Sequence, residues 1–100
     1  MLRLSKAARA DLREIYLRGV EVFGSAQADM YIEGLLAALD LLADYPRLGQ
    51  AEEELGPTAR RHAYRSHVIL YRTDGDADVR IQRIRHGRED WRKNLTGDDE

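Results

Sequence analysis

The chain contains no cysteine, which excludes disulfide bonds, thiol catalysis and cysteine-ligated metal sites. It also lacks any apolar run that approaches the roughly 20 residues needed to cross a bilayer. The N-terminal segment has no apolar stretch followed by a small-residue cleavage site, so we expect no secretory signal. Together these absences predict a cytoplasmic protein with no membrane partner.

Lysine is scarce, since only two of the sixteen basic residues are lysines. The basic residues are also unevenly placed: residues 59–93 hold ten of them but only five of the eighteen acidic residues, on a chain of net charge −2. A basic region on a mildly acidic protein indicates an anionic partner, either nucleic acid or an acidic protein surface. Solvation of a sheet face explains the same pattern, although the arginine bias favours planar, bidentate recognition.

Three extended runs follow one another in the C-terminal half, at about 60–66, 67–72 and 78–86. Between the second and the third lies the pair Asp74-Gly75, which is a strong hairpin signal because glycine tolerates the positive φ of tight turns. The 100 residues suit one domain with a single core. The sequence therefore predicts an antiparallel sheet.

The middle and last runs predict how this sheet faces the core. His67-Val68-Ile69-Leu70-Tyr71 is nearly unbroken and apolar, which is typical of a central strand covered on both faces. In the last run Val79 and Ile81 share a face, whereas Ile84 falls on the opposite face unless a bulge intervenes.

Two helices are predicted before these strands, at about 6–23 and 26–44. Ser5 and Ser25 stand where N-caps belong, and Gly24 is suited to end the first helix. Apolar residues recur at spacings of three and four in both segments. In the first they are Ala8, Leu12, Ile15, Tyr16, Gly19 and Phe23, and in the second Tyr31, Ile32, Leu35, Leu36, Leu39, Leu42 and Ala43.

A short strand at 2–4 and a loop at 46–58 complete the pattern, and three successive glutamates in that loop, Glu52, Glu53 and Glu54, are expected to face solvent. The predicted order is β-α-α-β-β-β, an α+β domain in which an N-terminal helical hairpin packs on an antiparallel β-sheet. A short C-terminal extension follows at 94–100.

Short motifs distributed over about residues 4–91 occur in the order and spacing of a known family. They are Leu4-Ser5-Lys6-Ala7-Ala8, Asp11-Leu12 with Ile15, Phe23-Gly24 with Gln27-Ala28 and Tyr31, Pro46-Arg47-Leu48-Gly49, Arg60-Arg61, Ser66-His67-Val68-Ile69-Leu70-Tyr71-Arg72, and Ile81-Gln82-Arg83-Ile84-Arg85-His86-Gly87-Arg88-Glu89-Asp90. On these motifs the sequence resembles the ParE branch of the RelE/ParE superfamily, the toxins of bacterial type II toxin-antitoxin pairs.

The resemblance implies a binding protein without catalytic residues, metal or cofactor. Such toxins are held inactive by a ParD-like antitoxin whose flexible C-terminal segment wraps the toxin. When freed, they poison DNA gyrase and block replication. DNA is then contacted only indirectly, through the antitoxin or gyrase.

Two sets of contact residues are hypothesised from this resemblance and from the residue types. The predicted target-binding surface is the basic sheet face with the C-terminal segment 83–95, and its residues are Arg61, Arg65, Arg83, Arg85, His86, Arg88 and Trp91. The predicted antitoxin-binding residues are Tyr16, Tyr31, Leu35, Arg60, Tyr64, His67 and Tyr71. Trp91 either closes the core or anchors a partner, since clusters of aromatic residues and arginine are typical of interface hot spots.

Two alternatives stay open. A RelE-type ribonuclease that cleaves mRNA on the ribosome needs cations at the scissile phosphate and a proton-transfer group, which His67 or His86 offers together with arginines of the sheet. Against it, residues 7–92 contain no lysine, and the aromatic residue near the end is Trp91, which has no acidic hydroxyl. The other alternative is an inactive relative that only binds the antitoxin and regulates the operon.

Overall fold

A computed structural model describes residues 1–75 and 78–91 as a helical hairpin packed on one face of a five-stranded sheet. The helices are α1 (Lys6–Phe23) and α2 (Ser25–Asp44), and the strands are β1 (Leu2–Leu4), β2 (Gln50–Ala51), β3 (Ala59–Tyr64), β4 (His67–Asp74) and β5 (Asp78–His86). A 3-10 turn lies at Glu53–Leu55. The predicted α+β architecture is therefore confirmed. Neither helix is long and apolar enough to cross a membrane, as far as the described residues go.

The sheet has the order β1-β5-β4-β3-β2 and is mixed, which corrects the prediction of a wholly antiparallel sheet. The first strand runs parallel to the last, with Leu2 opposite Val79 and Leu4 opposite Ile81, while the other three pairings are antiparallel. A three-residue run indicates extended backbone but carries no information about the direction of its partner. The two-residue strand β2 is too short to show any periodicity, so it was not predicted.

Ser5 ties the start of α1 to the last strand. Its hydroxyl accepts a hydrogen bond from the Ala8 N–H at 2.9 Å, which satisfies one of the free amides of the first helical turn. The same hydroxyl donates to the Gln82 carbonyl at 2.7 Å, and the Ser5 N–H donates to the Ile81 carbonyl at 3.0 Å. The cap therefore fixes the helix to β5 as well as starting it.

Gly24 forms the joint between the helices, with φ of 91°, a value that favours glycine. Helix α2 begins at Ser25, so the residue before the helix is Gly24, and the prediction of Ser25 as an N-cap was wrong. Phe23 lies at this joint beyond the packed length of the hairpin, which is why it is exposed although its spacing predicted the core.

A bulge in β5 decides which side chains reach the core. Leu70 pairs with Arg83 whereas Tyr71 pairs with Ile81, so Gln82 is an extra residue between them. The extra residue turns Ile84 to the same face as Val79 and Ile81. This is the bulge that the sequence pattern required for the three residues to share a face. The buried core consists of Ala8, Leu35, Leu39, Leu42, Ile69, Tyr71, Val79, Ile81 and Ile84.

Tyr71 and Leu35 are core residues, so they cannot serve as the antitoxin contacts predicted from their residue types. The Tyr71 hydroxyl is also fully used inside the protein, since it donates to the Pro46 carbonyl at 2.8 Å and accepts from the Gly49 N–H at 2.9 Å. Sequence spacing identified an aromatic residue on a central strand but not which face was covered. Its role is to anchor the loop that follows α2.

Candidate partner-binding groove

A groove of about 990 Å³ runs between the helical hairpin and one end of the sheet. Its walls come from α1, α2, the turn between β3 and β4, and the end of β5. The predicted residues that line it are Tyr16, Tyr31, Tyr64, Arg65, His67, Arg85 and His86. The structure thus brings together residues that the sequence had divided between an antitoxin surface and a target surface.

One wall of the groove is apolar and exposed. Val22, Phe23 and Met30 line it near the hairpin joint, and they are 59%, 63% and 72% exposed. Isolated exposed apolar residues are common, but a cluster beside a groove is typical of an interaction site. The sequence analysis missed this cluster because the helical period assigned Phe23 to the core.

The opposite wall is built from aromatic and imidazole rings. The Tyr31 hydroxyl lies 2.7 Å from His67 Nδ1, and the Tyr31 ring meets Tyr64 edge-to-face at 5.5 Å between centroids. His67 and His86, paired across β4 and β5, have ring centroids 5.3 Å apart. A side chain at Gly34 would overlap the Tyr64 hydroxyl, so glycine at this position of α2 lets the ring lie against the helix.

The surroundings of His67 disfavour its charged form. Burial lowers the pKa of its imidazole and the nearby His86 adds to this effect, while Glu89 and Asp11 oppose it. In the tautomer whose Nδ1 carries no proton, the neutral imidazole accepts a hydrogen bond from the Tyr31 hydroxyl, and burial raises the pKa of Tyr31, so the hydroxyl keeps its proton. The pair forms a fixed polar contact within the wall.

Arg65 stands at the rim of the groove in an unusual conformation. Its φ is 50°, and it is the one non-glycine residue with positive φ among residues 1–75 and 78–91. Its Nε donates to the Tyr64 hydroxyl at 3.3 Å, and its guanidinium carbon lies 5.6 Å from the centroid of the Tyr64 ring. The turn therefore directs an exposed cation toward the groove, at a cost in backbone strain.

Asp11 neutralises two of the arginines predicted to bind a target. Its carboxylate accepts from Arg83 Nε at 2.9 Å and Nη2 at 3.0 Å, and from Arg85 Nη1 at 3.3 Å. It also accepts from the Ile84 N–H at 2.9 Å, and the aspartate is buried. Arg83 and Arg85 thus hold α1 against the edge of β5, and their contact with a target stays a prediction.

The spacing of Asp11 contained a signal for this role that the sequence analysis did not use. Asp11 lies three residues after Ala8 and four before Ile15, so it falls on the apolar face of α1. A charged residue on a buried helix face requires a partner of opposite charge. The identity of that partner, 72 residues away for Arg83, was not readable from local pattern.

Glu52 pairs with another of the predicted target-binding arginines. Its Oε2 lies 2.7 Å from Arg61 Nε, and the side chain is buried, so the expectation that Glu52 faces solvent was wrong. The loop is held against β3 because the Glu52 N–H donates to the Ala59 carbonyl at 2.9 Å. Glu53 and Glu54 are exposed.

The other residues predicted to contact a partner, Arg60, Arg88 and Trp91, do not line the groove. Arg60 donates to the Gly49 carbonyl at 2.6 Å, away from the groove, and Trp91 is buried with only 8% of its surface exposed. Arg88 is exposed next to the groove end, where its N–H donates to His86 Nδ1 at 3.1 Å. Residues 92–95 of the predicted target segment and the extension at 94–100 lie outside the described residues.

Tyr16 closes the groove on the α1 side, where its hydroxyl donates to Asp29 Oδ1 at 2.8 Å. Hydrogen bonding to this carboxylate raises the pKa of Tyr16. No group of three histidine, aspartate or glutamate side chains suited to a metal ion occurs within the described part of the chain. The groove therefore offers apolar contact, aromatic edges and a cation, which are the chemistry of protein recognition.

Comparisons with known proteins agree with this arrangement. A family profile described as "ParE toxin of type II toxin-antitoxin system, parDE" matches residues 2–91. Toxin ParE1 of Mycobacterium tuberculosis H37Rv is 37% identical over 92 residues, which cover 92% of this chain and 94% of that protein. Toxin ParE1 of Caulobacter vibrioides is 39% identical over 83 residues, or 83% of this chain and 82% of that protein.

A solved structure described as "Chromosomal ParDE TA system from P. aeruginosa" has the same fold. It matches with a TM-score of 0.72 over 85% of this chain and 92% of its own, at 22% sequence identity.

Proposed function

Since the chain belongs to the ParE toxin family of type II toxin-antitoxin systems, we propose that a ParD-like antitoxin neutralises it and that, when free, it inhibits DNA gyrase by direct binding. Inhibition of gyrase blocks replication and growth, and the protein acts in the cytoplasm. The observation that carries this proposal is the family match over residues 2–91, together with a groove whose chemistry suits a protein partner.

The groove fits an amphipathic, acidic antitoxin segment. Val22, Phe23 and Met30 supply exposed apolar surface on one wall. Arg18 and Arg65 line the same groove without a carboxylate partner among the described residues, whereas two of its three carboxylates, Asp11 and Glu89, are already paired with arginines and the third, Glu14, is exposed on α1. A segment with apolar residues on one side and carboxylates on the other meets both features.

The arrangement of charges favours a binder over the ribonuclease alternative. An endoribonuclease needs cations free to hold the scissile phosphate and a group ready to move a proton. Here Arg83 and Arg85 share Asp11 and Arg61 binds Glu52, so three arginines of the sheet are already paired, and the groove's arginines without a carboxylate partner among the described residues are Arg18 and Arg65. His67 is hydrogen-bonded to Tyr31.

A supercoiling assay tests the proposal with purified protein, DNA gyrase and relaxed plasmid. We expect the protein to block supercoiling or to accumulate cleaved DNA, and the antitoxin encoded beside it to restore activity. A Met30→Glu variant should still inhibit gyrase but should resist the antitoxin, because a carboxylate in the apolar wall repels an acidic segment. Leu41→Glu, at an exposed apolar residue of α2 that does not line the groove, is the matched control.

Two outcomes would contradict the proposal. If the protein arrests growth while gyrase is unaffected and mRNA is cleaved on ribosomes, the ribonuclease alternative replaces it. If the protein causes no growth arrest in the absence of any antitoxin, it is an inactive relative.

A further inference from the structure

Three arginines occupy paired positions on the sheet face that points away from the helices. Arg3 of β1 pairs with Arg80 of β5, and Arg80 pairs with Arg72 of β4. Their chain neighbours Leu4, Ile81 and Tyr71 pack on the helix side, so the three arginines project from the other face. Since adjacent strands lie about 4.8 Å apart, Arg3, Arg80 and Arg72 form a row about 10 Å long, which we call the arginine row.

No carboxylate neutralises this row within the described residues. Arg3 and Arg80 are exposed and take part in no ion pair there. Arg72 donates to two neutral acceptors, the Leu55 carbonyl at 2.7 Å and Gln82 Oε1 at 3.1 Å. Like charges that face each other across strands destabilise a sheet, so the row is an arrangement that folding alone does not favour.

The cation at the β4 end of the row, Arg72, is held in place. The 3-10 turn Glu53–Leu55 presents the Leu55 carbonyl to Arg72, and Gly56 follows with φ of 122°. A Cβ at Gly56 would lie 3.0 Å from Arg72 Nη1, so glycine allows the loop to press against the guanidinium. Arg72 is thus fixed before any ligand arrives, which lowers the entropic cost of binding.

We propose that the arginine row binds the phosphate backbone of duplex DNA. A straight line of guanidinium groups suits a linear polyanion, and arginine binds phosphate through planar, bidentate hydrogen bonds. Two carboxylates, Asp74 and Asp78, lie two pairing positions away on the same face of the sheet, and Asp78 is 3.4 Å from the N-terminal ammonium. Their negative charge limits the arginine row on that side, so we expect the DNA phosphate backbone to run along the row.

The choice of DNA rests on the proposed function, because gyrase holds DNA where a bound toxin can reach it. The row itself does not depend on that function. It lies on the face opposite the helical hairpin and shares no residue with the groove, so DNA and the antitoxin segment bind at separate places.

The test is a titration of a short labelled DNA duplex with the whole protein at several salt concentrations. Arg3→Gln/Arg80→Gln removes two cations of the row, and Arg9→Gln/Arg13→Gln removes two exposed cations of α1 as a matched control. We expect the slope of log affinity against log salt to fall by about 2 in the row variant and to stay at the wild-type value in the control. Thermal unfolding should show that the row variant is at least as stable as wild type.

The inference is overturned if wild type does not bind the duplex at low salt, or if both double variants have the wild-type slope. Tighter binding to an RNA duplex of the same sequence overturns the choice of DNA. A parallel supercoiling assay separates this inference from the proposed function. If wild type leaves gyrase unaffected while its DNA binding depends on the row, only the proposed function fails; if it inhibits gyrase while the row variant keeps the full salt slope, only the row fails.

Discussion

The carboxylate of Asp11 accepts a hydrogen bond at 2.9 Å from the backbone N–H of Ile84, a residue of the last strand. Strand β1 pairs with β5 only as far as Ile81, and beyond it this edge of β5 has no neighbouring strand among residues 1–75 and 78–91. Asp11 covers that edge and forms ion pairs with Arg83 and Arg85. One helix residue therefore completes the sheet where the first strand ends.

We expect Asp11→Ala to lower the free energy of unfolding by about 3 kcal/mol, because it leaves a buried N–H and two guanidinium groups without their acceptor. Asp11→Asn should lie between this variant and wild type, since it keeps an oxygen for the Ile84 N–H but loses the charge. Urea denaturation measures both. Glu21→Ala, at an exposed position of the same helix, should change stability by less than about 0.5 kcal/mol. Equal effects of Asp11→Ala and Glu21→Ala would refute the structural role.

His67 should make the fold less stable in mild acid. Burial lowers its pKa in the folded protein, so below the ordinary histidine pKa of about 6.5 the unfolded chain binds a proton that the folded chain resists. The free energy of unfolding therefore falls as pH drops through about 6.5 toward the folded pKa. His67→Gln should remove this part of the pH dependence, which urea denaturation at a series of pH values measures. An unchanged pH profile in His67→Gln would contradict the prediction.

In the tautomer with an unprotonated Nδ1, the Tyr31 hydroxyl donates to the neutral ring of His67 and favours its uncharged form, so Tyr31→Phe should raise the pKa of His67. NMR titration of the imidazole resonances measures the change. A pKa that stays the same or falls in Tyr31→Phe would show that this hydrogen bond does not hold His67 neutral.

Replacement of Arg65 should separate stability from binding. Arg65→Gly relieves the positive φ of 50°, so it should be more stable than Arg65→Ala by about 1 kcal/mol, because alanine keeps the backbone strain. Both variants lose the guanidinium at the rim of the groove and should therefore dissociate faster from the antitoxin. Thermal unfolding and the dissociation rate of the complex measure the two effects. Arg65→Gly that is no more stable than Arg65→Ala would disprove the strain, and unchanged dissociation would disprove the contact.

The apolar wall of the groove should contribute to the affinity for the antitoxin but not to the stability of the free toxin. Phe23→Ser and Met30→Ser should each weaken the complex by about tenfold or more, which corresponds to about 1.4 kcal/mol, because exposed apolar side chains become buried only on binding. Isothermal calorimetry measures the affinity. Leu41→Ser replaces another exposed apolar residue of α2 that does not line the groove, and it should bind as wild type does. Equal losses in all three variants would mean that the groove is not the site.

The local sequence pattern predicted helices and strands better than it predicted which strands pair with each other. The spacing of Leu12 and Ile15 indicated a helix, and the pair Asp74-Gly75 indicated a hairpin, because both depend on residues close in sequence. The parallel pairing of Leu2 with Val79 depends on residues 77 positions apart, so nothing near Leu2 indicated it.

The site was less predictable for the same reason. Arginine content drew attention to the sheet, but whether a guanidinium is free depends on which carboxylate the fold brings to it. Arg83 meets Asp11 and Arg61 meets Glu52, whereas Arg80 meets no carboxylate within the described residues. The groove joins side chains from both helices and from β3, β4 and β5, and its exposed wall at Phe23 contradicts the helical period that predicted burial.

The parallel pairing of β1 with β5 also has a consequence for synthesis of the protein. The first strand, the cap at Ser5 and the carboxylate of Asp11 all find their partners between Val79 and Arg85, near the end of the chain. A growing polypeptide on the ribosome lacks these partners until most of its codons have been read, so folding waits for nearly the whole chain. A nonsense codon anywhere before Val79 removes all three attachments at once, and such alleles should behave as complete losses of function.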